Sequence, residues 1–205
     1  MAKNVSAIVS GAGWVADFMG QLVDGLRKKG CTDEEIHGLV TTKARPAMEK
    51  IVDAIAELIR VAKNIFRLTK VGDSRTTEEL VRAGNYNYAN PDINSRNFPA
   101  RRTASVTREI VLLEFDHDVT SEEAIAEAIR QGLERPVYED ALYFGVEHPE
   151  VQRERPVVFL HEPWCHLLGF RAVVFLWSDS GDRRLYLHDF DFRWYRRHRF
   201  AFVRK

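Results

Sequence analysis

The sequence predicts an α+β protein: an amino-terminal helical segment of two to three helices (residues 1–65), then a mixed α+β body (66–205) ending in an antiparallel sheet. Three observations carry this. Apolar residues recur at three- and four-residue steps through the first sixty positions, the stripe of amphipathic helices. Every lysine lies at or before Lys70 except the terminal Lys205, which marks a composition break near residue 70. Beyond Phe66, apolar segments shorten, alternate, and are separated by turn-forming residues.

The first helix is expected from Val5 to Lys29, with Val5, Ile8, Val9, Ala12, Val15, Phe18, Met19, Leu22, Val23 and Leu26 on one stripe and Gly30 as its stop. Thr32-Asp33-Glu34-Glu35 reads as a capping box, in which Thr32 accepts from the backbone and Glu35 reaches back. A third helix opens at Pro46, where proline suits the first turn, and runs through Ile59 and Ala62. These three would form a small hairpin or bundle. Phe66 to Val71 alternates as a strand, and Thr76 or Thr77 caps a short helix that ends at Gly84. Asn85 to Ala100 holds five Asn and two Pro without periodicity and reads as a long loop.

Ser105 to Phe115 reads as a strand, and Thr120-Ser121-Glu122-Glu123 is a second capping box for a helix closed by Gly132. Pro136 to His148 is a further helix. Val157–Leu160, Ala172–Trp177, Leu185–Phe190 and Phe200–Arg204 are strands, and Ser178 to Asp182 has turn composition, which makes a hairpin of the second and third.

Composition restricts function. Apolar residues make up 45% and charged residues 29% of the chain, which fits a folded domain. The formal net charge is zero, against a wholesale electrostatic attraction to nucleic acid or acidic membrane. Charge is nevertheless segregated: +3 over residues 1–70, −8 over 71–150 and +5 over 151–205. Cys31 and Cys165 lie far apart in unlike contexts, as free thiols of a reducing compartment would. No apolar run reaches the ~18–20 residues of a membrane span. Cytoplasmic location is the expectation.

Four candidate sites follow. The Asn/Tyr loop, with Tyr86, Tyr88 and Asn90, has the amide-and-phenol chemistry of adaptable recognition surfaces. Asp189 to Lys205 combines six basic residues with six aromatics, Trp194, Arg196 and Arg197 among them, which is the composition of a single-stranded nucleic-acid surface. Against that, Phe190/Phe192 and Phe200/Phe202 have period two, which assigns each pair to one strand face and to the core. His161, Cys165 and His166, with His188 on a later strand, are metal-ligand types, but they lack a second ligand pair at defined spacing. Asp116-His117-Asp118 has acid–base chemistry at a position that suits a local role before a helix.

Asn85 to Ile93 (Asn-Tyr-x-Tyr-x-Asn-x-Asp-Ile), Ser121 to Ala124, Gln152-Arg153-x-x-Pro156 and the closing Arg199-Phe-Ala-Phe-Val-Arg-Lys resemble a recurrent group of uncharacterised bacterial proteins. Arg135-Pro136, the helix from Tyr138, Trp164, Trp177 and the stretch from Phe200 to Arg204 are similar, more distantly, to the C-type-lectin-like fold of formylglycine-generating enzymes and related ligand-display proteins. That enzyme family works with a cysteine pair, and this region has only Cys165, so the resemblance implies a binding module instead of the enzyme. The expectation is therefore a non-enzymatic binding or interaction module of a cytosolic bacterial protein. It would have no cofactor, a protein or small-ligand partner, and amino-terminal helices available for oligomerisation. The alternatives are a metalloprotein or enzyme centred on His161, Cys165 and His166, and single-stranded nucleic-acid binding through the carboxy-terminal Arg/aromatic surface.

Overall fold

The computed structural model describes residues 3–39, 45–62, 64–101, 104–166 and 168–205. The chain divides into two compact units, Met1–Ile59 and Arg60–Lys205.

The first unit carries α1 (Lys3–Lys28), α2 (Asp33–Gly38) and most of α3 (Arg45–Ala62). Gly30, at φ 91°, ends α1 in a left-handed turn. The capping box at Thr32 forms, with Glu35 N donating to Thr32 Oγ1 and Thr32 N to Glu35 Oε2. Arg27 Nε bonds Asp33 Oδ1 at 2.8 Å across the turn. Among the residues of this unit whose side chains are described, none is buried, and Val15, Phe18 and Met19 on α1 and Val52 and Ile59 on α3 are exposed, so the bundle expected from the apolar stripes shows no core there.

The second unit is built on one eight-stranded mixed sheet. Its strands are β1 (Ile65–Val71), β2 (Tyr88–Ala89), β3 (Val106–Glu114), β4 (Leu133–Glu134), β5 (Val157–Cys165), β6 (Arg171–Asp179), β7 (Asp182–Asp189) and β8 (Arg199–Arg204). The order is β1-β3-β8-β5-β6-β7-β2, with β4 beside β8. The hairpin of β6 and β7 forms as predicted, its two turn residues Ser180 (φ 50°) and Gly181 (φ 93°) both left-handed, as a tight hairpin requires. Two pairs, β5 with β8 and β2 with β7, are parallel.

Period-two alternation gives the sheet two apolar faces. Ile110, Leu112, Val157, Phe159, Val174, Leu176, Ala201 and Val203 face one core, covered by α4 (Thr77–Ala83), α6 (Tyr138–Glu147) and α7 (Val151–Glu154). Leu113, Val158, Leu160, Val173, Phe175, Phe200 and Phe202 face the other. It also takes in Ala124 and Ala128 of α5 (Ser121–Arg130) and Phe190 and Trp194 of the segment 190–198. Capping boxes at Thr76 and Thr120 start α4 and α5.

The outer edge of β1 is closed by side chains. Leu112 N donates to Asn64 O, which puts Arg67 and Thr69 on the side of β1 away from β3. There Glu147 accepts from Thr69 N and Oγ1 at 3.0 Å, and the ring Nε2 of His148 bonds Arg67 O at 2.9 Å.

The loop after α4 is held by a buried guanidinium. Arg183 donates to the carbonyls of Gly84 and Gly145 and to Gln152 Oε1, and its Cζ lies 4.8 Å from the Tyr86 ring centroid. Tyr86 fits because two glycines leave it room. A Cβ on Gly84 would lie 2.2 Å from Tyr86 Cε2, and one on Gly145 1.7 Å from the hydroxyl. That hydroxyl is buried without a hydrogen-bond partner among the described residues. Gly145→Ala is therefore expected to lower unfolding free energy by about 2 kcal/mol, overpacking outweighing the gain in helix propensity. Tyr86→Phe alone should leave stability equal or slightly higher, and should relieve part of the Gly145→Ala loss. Urea unfolding of the three variants checks both.

No helix among the described residues is long and apolar enough to cross a membrane.

Candidate binding surfaces

Strand alternation places Phe175 and Trp177 of β6 beside Tyr186 and His188 of β7, with Phe175 directly opposite Tyr186 in the register. The segment 190–198 folds over the end of this face and adds Phe192, Tyr195, Arg197 and His198. Together with Pro156 these residues line a groove of about 330 Å³. Its floor is a network of rings: His188 lies 4.7 Å from Trp194 and 4.6 Å from Phe192, and Phe175 lies 5.7 Å from His198. Three rims stay open, with Tyr195 49% exposed, Tyr186 39% and Tyr88 41%. Tyr88, on the neighbouring β2, has its ring 5.9 Å from that of Tyr186 and extends the aromatic strip.

Guanidiniums border this strip. Arg184 stands 5.2 Å over Trp177 and Arg197 5.6 Å over Tyr195. The turn that presents Arg196 and Arg197 is fixed through its backbone. Arg196 N donates to Asp118 Oδ1, and Arg155 donates to the carbonyls of Arg196 and Arg197 while pairing with Glu114 at 2.6 Å. Among the described residues no carboxylate lines the groove.

Several expected contacts have structural roles instead. Trp194 is wholly buried; its Nε1 donates to Ser121 Oγ at 2.9 Å, and its backbone pairs with Val119. It pins the segment and offers no surface. Tyr86 lies under Arg183 and between two glycines, so it also belongs to the packing. Asn90 folds its own loop, accepting from Asp92 N while its N–H donates to Leu185 O. Asp118 serves the turn described above, and His117 Nδ1 meets Asp116 at 2.6 Å in the open. Of the sequence-derived binding residues, Tyr88, Arg196 and Arg197 stay at the surface.

The four metal-ligand types do not converge. His161 is buried against Phe98 and Tyr138 on one face of the sheet, whereas His188 contacts Phe175 and Trp194 on the other. Both His161 nitrogens are engaged: Nδ1 donates to Glu162 O at 2.7 Å and Nε2 accepts from Val174 N at 3.0 Å. The reason is a bulge. Between the pairs Phe159↔Val174 and Trp164↔Ala172, β5 has more residues than β6, and at Val174, the last pair before the bulge, the backbone N–H is taken up by the imidazole. Arg135 then binds the carbonyls of Leu160 and His161. Pro163, which has no N–H, falls within the bulge. Cys165 ends β5 and His166 follows it, and both line a separate cleft with the loop from Asp92 to Asn97. Among the described residues no group of three or more His, Cys, Asp or Glu is placed to hold a metal ion.

Comparison with protein-family models, with curated proteins and with solved structures finds no match to this chain.

Burial pushes the His161 pKa down to about 4 and lowers those of His188 and His198. A histidine kept neutral in the fold stabilises above its unfolded pKa near 6.5, and the contribution is lost as pH falls toward the folded value. Stability is expected to decline between pH 6.5 and 4.5, with His161 alone worth about 3 kcal/mol by the time it is fully protonated. Carboxylates such as Glu79 and Glu123, whose pKa values are lowered by hydrogen bonds from their N-cap threonines, act below that window. Urea midpoints measured from pH 7 to 4.5 should fall, and His161→Gln should flatten the profile.

Proposed function

We propose that this chain is a non-enzymatic binding module that takes single-stranded nucleic acid across the groove between the β6–β7 hairpin and the segment 190–198. The observation that carries the reading is the strip of Tyr88, Tyr186, Trp177 and Tyr195, three of whose rings are open to solvent, bordered by the guanidiniums of Arg197 and of Arg184, the latter paired with Asp179, along a groove with no carboxylate among its described lining residues. Bases stack on such rings regardless of sequence, and arginine supplies phosphate contacts. Arg197 lies over Tyr195, where a guanidinium can meet the phosphate beside a stacked base. Among the described residues the Arg196 guanidinium has no carboxylate partner. The local excess of basic residues over 151–205 is in keeping with this, although the whole chain is neutral.

Fluorescence anisotropy with a labelled oligothymidylate tests the reading. Tyr195→Ala and Tyr186→Ala should each weaken binding by about tenfold, the low end of one lost stacking contact. Replacing Arg196 and Arg197 by Gln should reduce the slope of log affinity against log salt by about 1.4, two phosphates' worth. Absent binding at low salt, binding to duplex DNA as tight as to the single strand, or indifference to both tyrosine variants would each defeat the assignment.

A further inference from the structure

A cavity of about 680 Å³ lies away from the aromatic groove, between the loop Asp92–Asn97, the first turn of α4 and the end of β5. Its size is that of a small-molecule site. The loop wall is fixed by its own amides. Asn94 Oδ1 accepts from Arg96 N and Asn97 N, Asn94 Nδ2 donates to Pro91 O, and Asn97 Nδ2 donates to Asp92 O. Ser95 N and Oγ fasten the loop to Glu78 at the start of α4. With the backbone so held, the Asp92 carboxylate, the Arg96 guanidinium and Asn97 Oδ1 have no partner among the described residues. They share the cavity with the half-buried indole of Trp164, which rests on Phe98 at 5.6 Å and is met edge-on by His166 at 5.4 Å.

The chemistry narrows the ligand. A carboxylate and an amide oxygen need donors, a guanidinium needs an acceptor, and a hydroxyl serves as either. A phosphorylated ligand would face Glu78 and Asp92 against the single Arg96, and a cation would face Arg96 itself. An aromatic ring favours a ligand with one apolar face. We propose that this cleft binds a neutral pyranose sugar, its C–H face on Trp164 and its hydroxyls bonded to Asp92, Arg96 and Asn97.

Cys165 provides a readout independent of any activity, since it is an exposed free thiol in the cavity lining. Glucose, galactose, mannose and N-acetylglucosamine would each be added at millimolar concentration to the full chain during alkylation by iodoacetamide. At least one should slow modification of Cys165 by about threefold or more while leaving Cys31 unchanged, as expected for a Kd in the millimolar range. Trp164→Ala should abolish that protection. Arg96→Ala alters an exposed side chain and leaves the fold intact, and it should weaken protection by about tenfold. If no sugar protects Cys165, if protection persists in both variants, or if glucose 6-phosphate or choline protects better than every neutral sugar, the proposal is overturned.

Discussion

The body depends on one buried cation. The guanidinium of Arg183 sits in the interior with neutral acceptors around it: the carbonyl that ends α4, a carbonyl inside α6, the amide of Gln152 in α7 and the face of Tyr86. Gln152 in turn donates to the carbonyls of Trp177 and Arg184, so three helices and the β6–β7 hairpin converge on one group. Arginine suits the position because its planar fork offers five donors at fixed angles and stacks on a ring as well; a lysine would supply a point charge with neither property. Asn87 completes the arrangement by exchanging hydrogen bonds with the Arg183 backbone, which turns the asparagine-rich loop into the outer strand of the sheet.

A second constraint operates at the bulge of β5. Once that strand leaves register with β6, backbone groups on both sides need new partners. His161 and Arg135 supply them. The detour also carries Trp164 and Cys165 to the loop wall, so the cavity there is a by-product of how the sheet repairs itself. β8 meets the same geometry from its other side: its first residues pair with β5, and as β5 departs, β4 takes over at Val203 and Arg204.

Local features of this fold are readable in the sequence because short-range physics decides them. Two threonine capping boxes, a threonine cap for α4, the tight hairpin at Ser180-Gly181 and the period-two phenylalanines appear where the residues place them. The pairing of distant segments is not written in that way. Nothing in residues 199–204 says that they lie between β3 and β5 or run parallel to β5, and the two-residue strands β2 and β4 have no pattern of their own. Site residues divide along the same line. Trp194 and Tyr86 carry the composition of contact residues, but three-dimensional neighbours, Ser121 for one and Gly84 with Gly145 for the other, give them interior places. Conversely Tyr186 and Trp177 read as ordinary strand residues and acquire a surface role only when the segment 190–198 leaves them uncovered.

The plugged edge of β1 has consequences for how this molecule meets others. An open edge strand invites a further strand from any passing chain, whether a peptide ligand, a second copy or an aggregating neighbour. Here Glu147 and His148 occupy the hydrogen-bonding groups that such a strand would use, and at the opposite end the short parallel strand β2 runs directly into a cross-linked loop. Main-chain zippering, which is indifferent to sequence, is thereby discouraged along β1 and beside β2. Recognition is left to rings, amides and guanidiniums on its faces, where the identity of each side chain matters.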